Sequence, residues 1–104
     1  MRTGSERKKH MIVQGYRYKF LSRAALVEAE KTLLLAFLAA EGLHGESRVR
    51  MDADYATDQT LFTIVVDTST VVGEDIAGIF TTFVSKELGQ NKFLVHRLDK
   101  VVQS

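Results

Sequence analysis

Four side chains have the types and spacing to do chemistry: Arg17, His96, Asp52 and Asp54. An arginine can anchor an anion, a histidine can move a proton near neutral pH, and two nearby carboxylates can hold a cation or divide acid and base work. Asp52 and Asp54 share one face if residues 48–55 are extended. The competing reading makes them the solvated face of an edge strand, paired with Arg48 and Arg50. Asp58 does not turn them into a calcium loop. An EF-hand needs glycine at its sixth position and glutamate at its twelfth, where this chain has Thr57 and Thr63. His10, His44 and His96 lack zinc-motif spacing, and there is no cysteine to serve as thiolate ligand or nucleophile. No metal and no cofactor are expected.

The segment Val13-Gln14-Gly15-Tyr16-Arg17 resembles the V-Q-G-x-x-F-R loop of the acylphosphatases. In that family the loop cradles an acyl phosphate, and a later asparagine orients the attacking water. The resemblance covers about a dozen residues and includes Gly45 to Met51 as a counterpart of the later motif. It departs in two places: Arg17 comes two positions early, and Met51 stands where the asparagine belongs. The resemblance implies a ferredoxin-like scaffold with acylphosphatase activity. The alternative function, read from the residues themselves, is a small hydrolase or isomerase built from Arg17, His96 and the Asp52/Asp54 pair.

Tyr16, Tyr18 and Phe20 alternate along one stretch, as base-stacking aromatics do in RNA-recognition modules. The stretch Thr60 to Val66 is aliphatic rather than aromatic and glycine-rich. If the tyrosines face a core, they are not free to stack on bases, so nucleic acid is not an expected partner.

The 104 residues suit a single domain, and 45% hydrophobic content suits a self-sufficient core. Net charge is +1. Arg2, Arg7, Lys8 and Lys9 against Glu6 give residues 1–10 a local +3, which leaves −2 for the other ninety-four. Residues 1–10 are expected to be a basic, solvated tail and residues 11–104 one domain. A near-neutral body argues against a phosphate-binding surface. No apolar run reaches the roughly 20 residues of a membrane span. A soluble, cytoplasmic protein is expected, and the lack of cysteine fits a reducing compartment.

Periodicity predicts the order β-α-β-β-α-β. The strands are Met11 to Phe20, Arg48 to Tyr55, Thr60 to Asp67 and Phe93 to Val102. The first helix starts at an N-cap Ser22 and ends near Glu41, with Gly42 after it and Leu43 folding back onto Leu38. The second starts within Thr68-Ser69-Thr70 and ends at Gly89. Right-handed crossovers then give an α+β, ferredoxin-like fold: a four-stranded antiparallel sheet with two helices on one face.

The helices differ. In the second, Val72, Ile76, Ile79, Phe80, Phe83 and Val84 form one apolar face, opposite Gly78, Thr81, Thr82 and Ser85. In the first, Ala25, Leu26, Ala29, Leu33, Ala36, Phe37 and Ala40 suffice to cover a sheet. Val27, Leu34 and Leu38, with Leu35 beside them, fall in the arc of Arg23, Glu30, Lys31 and Glu41. The second expected surface is the open sheet face, with Val13, Gly15, Arg17, Lys19, Arg48, Arg50, Leu61, Thr63 and Val65, its aliphatics central. The leading expectation is a non-catalytic oligomerising or partner-binding domain. Its interface would draw on Val27, Leu34, Leu35, Leu38, Val13, Arg17, Leu61 and Val65. A homo-oligomer, first of all a dimer, is the expected assembly, with a small-molecule ligand at the subunit junction allowed for and no membrane involved.

Overall fold

The structure, a computed structural model, describes residues 12–99. The basic tail expected over residues 1–10 and the ends of the first and last expected strands lie outside them. The described chain is α+β: a four-stranded antiparallel sheet and three helices. Strand β1 (Gly15–Phe20) leads into helix α1 (Arg23–His44), and a short helix α2 (Glu46–Asp52) follows. Strands β2 (Tyr55–Asp58) and β3 (Thr63–Asp67) form a hairpin. Helix α3 (Val71–Leu88) and a single 3-10 turn (Gln90–Lys92) lead to strand β4 (Phe93–Leu98). The sheet order is β2-β3-β1-β4, so each long helix connects strands separated by one neighbour.

Local chemistry explains the element ends. Ser22 caps α1 by accepting a hydrogen bond from the Ala25 amide at 3.1 Å, and Thr70 caps α3 through the Gly73 amide at 3.0 Å. Gly45 and Gly89 stop α1 and α3 at φ of +91° and +85°, where a side chain would be strained. Gly42 therefore does not end α1. The helix runs on to His44, whose Nε2 lies 2.7 Å from Asp75 Oδ2 on α3, and Leu43 is exposed rather than folded back.

The expected strand from Arg48 to Tyr55 is corrected to helix over most of its length. Glu46 bonds Arg50 at 2.7 Å and Arg48 bonds Asp52 at 2.8 Å. These i,i+4 ion pairs line up only on a helix. One buried residue, Val49, anchors α2. The hairpin shifts accordingly, and its turn is organised by Asp58, whose Oδ1 accepts from the Thr60 and Leu61 amides. Phe62 closes the turn at a φ of 58°.

Alternation on β1 sends Tyr18 and Phe20 under the helices, where both are fully buried. Tyr18 meets Phe80 edge-on at 4.8 Å between ring centroids, and Phe20 lies 5.7 Å from Phe93. Leu26, Ile64, Val66, Val72, Ile76 and Val84 complete the centre. Each large side chain there contributes about 1.5–3 kcal/mol by burial. The helices also bond each other, Thr32 Oγ1 donating to Glu87 Oε1.

Gly15 and Gly73 are dictated by close approach. A Cβ on Gly73 would sit 2.1 Å from the Asp67 carbonyl oxygen, whereas one on Gly78 would meet open space. Gly73→Ala is expected to destabilise the protein by about 2 kcal/mol or more. Gly78→Ala is expected to stabilise it by up to about 1 kcal/mol through helix propensity. Urea unfolding of the two variants checks the opposite signs.

Candidate functional site

Helix α1 covers the sheet with Ala25, Leu26, Ala29, Leu33, Ala36 and Ala40, all buried. These residues use one side of the cylinder. The other side keeps its aliphatic side chains in water: Val27 is 39% exposed, Leu34 64%, Leu35 51% and Leu38 61%. Leu43, at 67%, is exposed too but lies on the opposite side of the helix from Leu34 and Leu38. Phe37 is excluded from the exposed patch, because its ring packs edge-on against Tyr55 of β2 at 5.4 Å. Polar contacts border the patch: Gln59 bonds Glu30 at 2.8 Å, and Lys31 reaches Glu28 at 3.4 Å.

The open sheet face differs from expectation. Arg17 stands between Val65 and His96, and Lys19 between Thr63 and Leu94. Two cations thus stand in the middle of the face, with Val65 beside Arg17. Lys19 is further tied by a 2.9 Å bond from its Nζ to the Leu61 carbonyl. Leu61 belongs to the hairpin turn, Val13 precedes β1, and Arg48 and Arg50 sit on α2 rather than on the sheet.

The four chemical candidates are not brought together. Arg17 and His96 are register partners on β1 and β4. Asp52 ends α2 and is held by Arg48, while Asp54 precedes β2, at the opposite edge of the sheet from β4. Gly15, Tyr16 and Arg17 are paired on both edges of β1, and the connection to α1 is only Leu21 and Ser22. Of the segment resembling the acylphosphatase loop, Gly15 to Arg17 are thus strand. Among the described residues no three His, Asp or Glu side chains gather as a metal site. No helix of the described residues is long and apolar enough to cross a membrane.

One concavity was not foreseen. A groove of about 660 Å³ runs between α3 and the β4 edge, lined by Tyr16, Glu74, Gly78, Thr81, Val95 and Arg97 among others. Its residues come from separate elements with no common motif, so no local signal marks it. Arg97 and Asp99, both in its wall, pair with each other at 3.1 Å. Compared with family models, curated proteins and solved structures, the chain gives no match.

Beneath the groove the Tyr18 hydroxyl lies 2.6 Å from Thr81 Oγ1. Burial pushes the Tyr18 phenol up from 10.0 to about 12, against the opposing effect of the Thr81 bond and with a small further push from Tyr16. The folded state therefore keeps this proton to higher pH than the unfolded chain does. The stability it contributes is whole below about pH 10 and falls as the pH rises toward about 12, by roughly 2–3 kcal/mol. Tyr18→Phe is expected to flatten that alkaline slope, as read by denaturant unfolding across the pH series.

Proposed function

We propose that this protein is a non-catalytic domain that works as a homo-oligomer, with the outer face of α1 as its contact surface. The observation that carries the reading is the exposed row Val27, Leu34, Leu35 and Leu38 on a helix whose opposite side already covers the sheet. Contiguous exposed aliphatics of this kind mark interaction surfaces. The charged centre of the open sheet face makes it the poorer candidate for a dry interface. Burying Val27, Leu34 and Leu38 contributes about 3–6 kcal/mol per protomer. Association costs roughly 4–15 kcal/mol, so the contact supports a concentration-dependent dimer rather than a permanent one.

The same proposal includes a ferredoxin-like scaffold with α2 inserted after α1. Its support is that both long crossovers skip one strand and that the aromatic core lies on the helix side of the sheet. A cytoplasmic location also belongs to it, supported by the lack of cysteine.

Leu34→Asp is expected to keep the helical circular dichroism and melting behaviour of the parent while weakening self-association at least about tenfold. Light scattering over a concentration series reads the effect. A parent protein that stays monomeric up to about 1 mM removes the reading.

A further inference from the structure

Resting on that reading, the charges on α1 define how two copies meet. Val27, Lys31, Leu34, Leu38 and Glu41 follow one another at alternating steps of four and three residues. That spacing lays them along a single seam of the helix. The seam is apolar in the middle and carries a cation toward one end and an anion toward the other. Among the described residues Lys31 holds only a long, exposed contact to Glu28 at 3.4 Å. The Glu41 carboxylate has no ion-pair or hydrogen-bond partner among the described residues.

Consider the seam turned end for end against its own copy, with a two-fold axis level with Ala36. Leu34 of one copy then faces Leu38 of the other, and Lys31 faces Glu41. Each contact occurs twice, as two-fold symmetry requires. Parallel packing instead sets Lys31 against Lys31 and Glu41 against Glu41, which repels at both ends. Shifting the axis to the middle of the Leu34–Leu35 step sets Lys31 opposite Leu38 and unpairs it from Glu41. Charge complementarity thus favours one orientation and one register, and the occupant it fits is a second copy of this chain. We infer that two copies associate through antiparallel α1 helices, with Leu34 and Leu38 interlocked and flanked by two Lys31–Glu41 ion pairs.

The test is a charge exchange read by sedimentation equilibrium. Lys31→Glu alone and Glu41→Lys alone are each expected to weaken the dimer by about tenfold or more, because two attractions become two repulsions. The double exchange K31E/E41K is expected to return the dissociation constant to within about threefold of the parent. Orientation is read independently by cross-linking, since the parent has no cysteine. A mixture of L34C and L38C proteins is expected to form the mixed disulfide under mild oxidation, with little L34C self-linked product. If a charge variant fails to fold, the cysteine pair decides alone. A dimer insensitive to the single exchanges, or one that links L34C to L34C, overturns the antiparallel register and leaves self-association standing. A parent that is monomeric throughout overturns both.

Discussion

Strand β1 is hydrogen-bonded along both edges, to β3 on one side and β4 on the other, and it carries the two aromatic residues at the centre of the core. Tyr18 and Phe20 point the same way because their positions differ by two. Both long helices must lie on that side to keep them dry. The alternate positions, Arg17 and Lys19, are thereby committed to the opposite face, where they stand in the middle of the sheet. A single parity on one strand thus decides which face is covered and which stays charged.

Close backbone contact reinforces this arrangement at the end of β3. Gly15 approaches the Val66 carbonyl and Gly73 the Asp67 carbonyl so tightly that neither site has room for a methyl group. The start of β1 and the start of α3 are thus drawn against the same short stretch of β3. Thr70 adds a bond to the Asp52 carbonyl at 2.9 Å, which ties in the end of α2.

Much of this was legible in the chain because it is local. Ser22, Thr70 and Gly89 act through neighbours within four residues, and the inward set on β1 follows from alternation. Helix α2 reads as a strand in the sequence because Val49, Met51, Ala53 and Tyr55 alternate. The signal that identifies it is the four-residue spacing of Glu46 with Arg50 and of Arg48 with Asp52. Gly42 resembles a helix end in the sequence because a helical glycine and a terminal one look alike until Gly45 and the His44–Asp75 contact are in place. The aliphatic surplus on α1 was readable by helical arithmetic alone. The scatter of Arg17, His96, Asp52 and Asp54 was not, since it depends on strand order. The groove was not readable either, because its walls meet only after the sheet and α3 have packed.

The sheet order also sets a constraint on synthesis. Strand β1 leaves the ribosome before the other strands, yet one of its two neighbours, β4, is the last to emerge. Until β4 arrives, the centre of the finished sheet is a free edge that exposes main-chain donors and acceptors to other nascent chains. The pairing that completes the domain joins its two most distant strands, so folding cannot finish early however fast α1 forms.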